Sequence, residues 1–215
     1  MDYIIHILPN MFSGLGVSAK IFVLTFVLAL PIGILLAMVR ISHVALFRKL
    51  AAIYIYVMRG TPLMLQTIFI NYGLPLMLHV QVSDFPAAIL AFVANYAAYF
   101  AEIFRGGIQS ISKGQYEGAK VLGFSYRQTM WHIILPQVIK RVIPPLGNET
   151  ITLLKDTSLV YILAMNDLMR VTRAFVQRDF DTTPFLVAAV FYLVCTAVLT
   201  RILAYVEKRY AVYEE

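Results

Sequence analysis

Charge is scarce in this chain. Asp, Glu, Lys and Arg make up 14% of its 215 residues, against 60% hydrophobic residues and a mean hydropathy of +0.75. Soluble domains carry about 25% charged and about 45–50% apolar residues. The sequence therefore lacks the polar surface that a water-soluble fold of this size needs, and a bilayer is the solvent it fits. Cysteine is limited to Cys195, inside an apolar run, which excludes an intramolecular disulfide and a cysteine metal cluster. Cys195 reads as a small buried hydrophobe. No G-x-x-x-x-G-K-[ST] loop is present to bind a nucleotide. His6, His43, His79 and His132 are scattered without ligand spacing and read as interfacial. Neither G-x-S-x-G nor a Cys/His pairing supports acyl transfer, and nucleic-acid motifs are missing. The expectation is a protein that is not an enzyme and holds no cofactor or metal of its own. Met1-Asp2-Tyr3 lacks a basic leader region, so the first apolar segment is expected to stay as a span. Low-complexity tracts and repeats are also missing, leaving residues 1–215 as a single transmembrane domain.

What is present is a series of long uncharged runs: residues 21–39, 60–83, 85–101 and 182–200 contain no Asp, Glu, Lys or Arg, and Val142–Leu154 contains only Glu149. A spanning helix needs about 20 mostly apolar residues. Five spans follow, at roughly 15–40, 61–80, 86–106, 136–155 and 183–204, giving an all-α polytopic fold. A sixth run, Thr157–Asn166, is too short to cross and reads as a buried or interfacial helix. Lys/Arg asymmetry sets orientation. With the N-terminus outside and the C-terminus cytoplasmic, the outer side keeps only Lys20, Lys155, Arg170, Arg173 and Arg178 of the 18 basic residues. Arg40, Arg48, Lys49 and Arg59 then fall in inner segments, as do the basic residues of 105–141 and 201–209. The net charge of +6 reads as loop charge facing anionic lipid. Pro144-Pro145 lies in the middle of the fourth span, either as a packing kink or as an interruption lining a path; the charges nearby favour interruption.

Residues 107–135 form a moderately polar loop on the inner side. The sequence predicts a short helix over Glu117–Leu122, a sharp break at Gly123, and a second helix capped by Ser125 and running through Arg127, Gln128 and Trp131. Exposed apolar and aromatic residues on such an elbow suit a docking knob for a partner; a membrane-surface elbow is the alternative. Within this loop, Glu117-Gly118-Ala119, Gly123 and Ile133-Ile134-Leu135-Pro136 resemble the EAA loop of ABC importer permeases. Nine residues separate Gly123 from Ile133, as in that pattern, and Gly118 departs from it by standing where alanine is usual. Arg59-Gly60-Thr61-Pro62-Leu63, Tyr99-Phe100-Ala101-Glu102-Ile103-Phe104-Arg105 and Leu153-Leu154-Lys155-Asp156-Thr157-Ser158-Leu159 resemble the polar amino-acid branch of that family.

The resemblance implies a type I ABC importer permease fold in the bacterial cytoplasmic (inner) membrane and import of a polar amino acid by alternating access. It implies a second permease chain, with a homodimer favoured over a heterodimer. It also implies a dimer of separate ATPase subunits, which hold ATP and Mg, and an extracytoplasmic solute-binding protein. Glu117, Gly118, Ala119, Gly123, Phe124 and Arg127 would couple the chain to the ATPase. A zwitterionic substrate needs an acceptor for its ammonium and donors for its carboxylate. Charge inside a span costs about 2.5–3.5 kcal/mol and marks function. Glu149, Thr152 and Asp156 share one helical face at i, i+3 and i+7, so both carboxylates can meet the ammonium. Lys155, Thr157 and Ser158 are candidate donors to the carboxylate, and Gln66 and Asn95 candidate partners for the side chain. Structural roles stand beside these: Lys155-Asp156 as a helix end, Glu149 paired with Lys140 or Arg141, Gln66 and Asn95 tying helices together. Glu102 and Arg105 read as an i, i+3 ion pair. An ion-coupled secondary transporter or channel is the alternative function. The choice among cationic amino acids, glutamine and cystine stays open.

Overall fold

The computed structural model describes residues 2–210, which form helices joined by short connections, with no strand among them. Helix α1, Asp2–Ile41, has 40 residues, about 60 Å at 1.5 Å per residue. Two further long helices are α5, Asp84–Gln109, and α10, Thr183–Tyr210. These three are long and apolar enough to cross a membrane, because each contains one of the uncharged runs.

The expected span at 61–80 takes a different form. Helix α2, Ala45–Gly60, leads into Leu63–Leu78, and the two parts form a pair bent by 104° that satisfies the spanning criterion only together. Leu63–Leu78 comprises α3, Leu63–Ile68, a π-helical turn at Phe69–Gly73, and α4, Leu74–Leu78. The break has a local cause. Pro62 disfavours helical geometry in the residue before it, and Thr61 is extended, with φ −120° and ψ 147°.

Helix α6, Lys113–Val121, and α7, Tyr126–Gln128, form the predicted elbow, and a π-helical turn at Thr129–Ile134 leads into α8, Leu135–Asp156. Helix α8 runs unbroken through Pro144 and Pro145, so the interruption expected there is not present. The Thr157–Asn166 run forms a 3₁₀ segment, Thr157–Leu163, closed by Ala164 at φ 59°. Helix α9, Leu168–Asp179, follows, capped by the Asp167 side chain, which accepts from the backbone N–H groups of Met169 and Arg170 at 2.9 and 3.2 Å.

The core forms around α5. Phe92, Tyr96 and Phe100 are buried against Ile21 and Ala29 of α1, Leu153 of α8, and Val160 and Leu163 of the 3₁₀ segment. Small residues let backbones approach where lipid gives no hydrophobic drive, and α5 supplies them in Ala87, Ala88, Ala91, Ala97, Ala98 and Ala101, all buried. Gly33 of α1 is the matching position: a Cβ there would stand 2.6 Å from the Phe100 Cβ and 3.2 Å from the Ala97 carbonyl oxygen. Gly33→Ala should therefore destabilise the bundle by about 1–3 kcal/mol. Gly16→Ala, where a Cβ meets nothing within 4 Å, should be neutral or stabilising by up to about 1 kcal/mol. Thermal unfolding of the two variants in detergent, side by side, checks this. Equal melting temperatures would show that α1 and α5 do not depend on this approach. Cys195 is half-buried, less enclosed than expected.

Candidate functional site

The break between α2 and α3 opens a cleft of about 620 Å³ against α5 and α8, lined by Arg59, Asn95, Tyr96, Glu149, Thr152 and Asp156 among others. Three separate helices supply these side chains, so the cleft exists only in the folded chain. Ending α2 at Gly60 leaves its last carbonyl groups without helical partners. Side chains satisfy them. Thr61 Oγ1 donates to the Val57 carbonyl at 2.8 Å, and Gln66 Nε2 donates to the carbonyls of Met58 and Thr61 at 2.9 and 3.1 Å. Asn95 Nδ2 donates to the same Met58 carbonyl and to Gln66 Oε1, both at 2.9 Å. Gln66 and Asn95 are both buried. Their amide groups hold the break, as the helix-tying reading of these two residues requires.

On the opposite wall, Asp156 accepts a 2.7 Å hydrogen bond from the Tyr96 hydroxyl. Glu149 is half-buried and makes no hydrogen bond or ion pair among the described residues. Of Lys140 and Arg141, the two residues considered as its partner, Arg141 instead donates to the Ser110 carbonyl. Thr152 lines the cleft, with its hydroxyl donating to the Asn148 carbonyl at 3.1 Å. Gln66, Lys155, Thr157 and Ser158 are not among the lining residues. Lys155 is exposed, and the buried Thr157 donates its hydroxyl to the Leu154 carbonyl at 2.7 Å.

Arg59 was grouped by sequence with the inner basic residues, yet it lines the cleft. Its guanidinium lies over the Tyr99 ring, 5.1 Å from the centroid, and 3.8 Å from Glu102 Oε2. Glu102 is held by Arg105 through two bonds of 2.9 and 2.6 Å, the expected i, i+3 pair. A second cleft, of about 670 Å³, adjoins the first and shares Arg59, Gly60 and Tyr99 with it; Arg40, Lys49 and Tyr56 are on its other walls. Sequence reading also missed Tyr96. The signal for Arg59 was its place in the Arg59-Gly60-Thr61-Pro62-Leu63 run that resembles the polar amino-acid branch, with Pro62 as a helix breaker in an otherwise apolar stretch.

The elbow is a second exposed feature. Gly123 has φ +78°; its N–H bonds the Lys120 carbonyl at 3.0 Å and the Phe124 N–H bonds the Ala119 carbonyl at 3.0 Å. This is a Schellman C-cap, which favours glycine at that position. Ser125 and Gln128 close a capping box on the next helix. Val121, Leu122, Tyr126 and Trp131 are left exposed, while Tyr116 packs against Ile111, Ile134 and Val138 and seats the elbow on the bundle. Ala119 is buried, and Glu117 and Arg127 are exposed. No group of His, Cys, Asp or Glu able to hold a metal is found among the described residues.

Residues 29–212 match the family model described as binding-protein-dependent transport system inner membrane component. The arginine transport system permease protein ArtQ of Bacillus subtilis is 38% identical over 206 residues, covering 94% of this chain and 93% of that protein. The glutamine transport system permease protein GlnP of Escherichia coli K12 is 36% identical, covering 94% and 93%. A crystal structure of an amino acid ABC transporter with histidines has a chain that superposes with a TM-score of 0.90 at 32% identity, covering 96% of this chain and 97% of that one.

Proposed function

This chain belongs to the family of inner membrane components of binding-protein-dependent transport systems, and from that premise we propose that its cleft is the amino-acid site of the translocation path. The protein is the membrane permease subunit of an ABC importer of amino acids, with the all-helical type I permease fold, and ATP hydrolysis resides in a separate subunit. The single observation that carries the site is the pair Glu149 and Asp156 on one face of α8, facing Arg59 across the cleft. Glu149 makes no hydrogen bond or ion pair among the described residues, and a carboxylate so placed costs free energy in a low-dielectric bundle. An ammonium arriving from the substrate recovers it. Relatives named for arginine and for glutamine transport fit a site that recognises the groups common to both substrates.

The finer reading has five spans: α1, the bent pair α2 with Leu63–Leu78, α5, α8 and α10, with the N-terminus outside and the C-terminus cytoplasmic. Support comes from the basic asymmetry of the sequence. The Gly60–Pro62 break then lies within the membrane, where irregular backbone is tolerated only if it lines a cavity or is buried in protein. The elbow of residues 107–135 faces the cytoplasm, and its exposed Leu122, Phe124 and Trp131 meet the ATPase, which holds ATP and Mg. Two copies of this chain form the path in the bacterial cytoplasmic membrane, and a solute-binding protein delivers substrate from outside. Gln66, Thr157, Ser158 and Lys155 act behind the cleft wall rather than on it.

The test is uptake by proteoliposomes containing this chain with its ATPase and binding protein, using labelled L-arginine, L-glutamine and L-cystine. At least one should accumulate, only with ATP and only with both partners present. Uptake driven by a proton or sodium gradient without the ATPase would overturn the reading.

A further inference from the structure

The cleft as described accounts for the substrate ammonium by charge and leaves its carboxylate without a charged partner. Lys155, Thr157 and Ser158 are off the cleft wall, and among the described residues Arg59 is the only cationic side chain on it. Three features of Arg59 bear on this. Its guanidinium has five N–H donors, and none of them makes a hydrogen bond among the described residues. It lies over the Tyr99 ring, 5.1 Å from the centroid, a cation–π contact that holds the cation and uses none of its N–H donors. Its contact with Glu102 is long, at 3.8 Å, and Glu102 already takes two short bonds from Arg105, so Arg59 can leave without stranding that carboxylate. A planar guanidinium with free N–H donors is the donor best suited to a carboxylate, which it binds through two parallel hydrogen bonds.

Position adds a fourth point. Arg59 lies at the break between α2 and α3 and is shared by the two adjoining clefts. Any change in the 104° bend moves it relative to Glu149 and Asp156, which are on a different helix. We infer that Arg59 selects the α-carboxylate of the substrate: it lies beside Glu102 and exchanges that contact for the carboxylate when Glu149 and Asp156 take the ammonium. The site then requires both charges of an α-amino acid at a fixed separation, whatever the side chain. This rests on the amino-acid reading of the cleft and goes beyond it by assigning the second charge.

Binding to the detergent-solubilised permease–ATPase complex, without the binding protein, tests it. The probes are L-arginine with its decarboxylated amine, agmatine, and L-glutamine with 4-aminobutanamide. Wild type should prefer an amino acid to its amine by about tenfold or more. Arg59→Gln should bring the two within about threefold while amine binding stays unchanged. Arg59→Lys, which keeps the charge and loses the fork, should fall between them. Glu102→Gln should tighten amino-acid binding by about two- to fivefold, as a weak competing ion pair is removed, and leave amine binding alone. Undiminished preference in Arg59→Gln overturns the inference, as does equal loss of amino acid and amine. If Arg59→Gln fails to assemble with the ATPase, full wild-type preference in Arg59→Lys together with no change in Glu102→Gln overturns it. A wild-type complex that binds none of the four compounds refutes the amino-acid site itself, and the role of Arg59 with it.

Discussion

Gly123→Val should cut coupled transport sharply while leaving the helical bundle folded. Gly123 has φ +78°, a region where a side chain costs roughly 1–2 kcal/mol, and more for a β-branched residue. A Cβ there meets nothing within 4 Å, so the cost is conformational and local, and no core contact is lost. The chain relieves it by abandoning the αL turn. The bonds from Gly123 and Phe124 back to Lys120 and Ala119 then break, and α7 leaves α6 at a different angle. Val121, Leu122, Tyr126 and Trp131 are exposed around that turn, so their mutual arrangement is the surface that changes. Uptake should fall by at least about tenfold, equivalent to about 1.4 kcal/mol of lost coupling, while the melting temperature in detergent stays near wild type. Substrate- and binding-protein-stimulated ATP hydrolysis should fall with uptake. Gly118→Ala is the control: its Cβ is unobstructed, its helix gains up to about 1 kcal/mol, and transport should be unchanged or improved. Normal uptake by Gly123→Val would show that the elbow does not carry the coupling.

The elbow was legible because its determinants are local. Gly123, Ser125 and Gln128 fix their own backbone through caps within a few residues, and such bonds can be read from spacing. Helices α1, α5 and α10 were legible for a related reason: an uncharged run long enough to cross needs no tertiary context. The second span was misjudged where charge and helix coincide. Arg48, Lys49 and Arg59 were placed in an inner segment outside the span, but that segment is helical over Ala45–Gly60, and Pro62 sets the break at its end. Pro144 and Pro145 had the opposite effect. They looked like an interruption, yet α8 continues through them. Membrane-type bundles tolerate the lost donors where neighbours re-satisfy the freed groups. Cleft-lining residues were half legible. Glu149, Thr152 and Asp156 share a face by simple periodicity, and the structure puts all three on the cleft. Tyr96 and Arg59 join them from α5 and α2, a juxtaposition created by tertiary packing that no spacing along the chain encodes. Gln66 illustrates the limit from the other side. A buried amide in an apolar run satisfies either a ligand or a broken helix end, and here it bonds the Met58 carbonyl.

Glu149→Gln and Asp156→Asn should each lower uptake by about 10- to 100-fold, and the double variant by more than either. A hydrogen bond to a charged group contributes about 1.5–3 kcal/mol, and every tenfold is about 1.4 kcal/mol. Both changes are close in size and keep an acceptor oxygen: Asn at 156 can still take the 2.7 Å bond from the Tyr96 hydroxyl. What is lost is charge. Glu149 makes no hydrogen bond or ion pair among the described residues, so neutralising it removes the cost of a half-buried charge and should raise the melting temperature even as transport fails. That opposite movement of stability and activity separates a substrate ligand from a structural ion pair, whose loss would lower both. Tyr96→Phe gives an intermediate case. It removes the hydroxyl that orients Asp156 and leaves the charge in place, so uptake should fall less than with Asp156→Asn. The loss in the double variant should also be greater for a cationic substrate such as L-arginine than for L-glutamine, if both are transported, because only the first adds a second positive charge to the cleft. Wild-type uptake by the double variant, with both carboxylates neutral, would remove α8 from the substrate path and leave Glu149 as an unpaired charge that the fold carries for another reason.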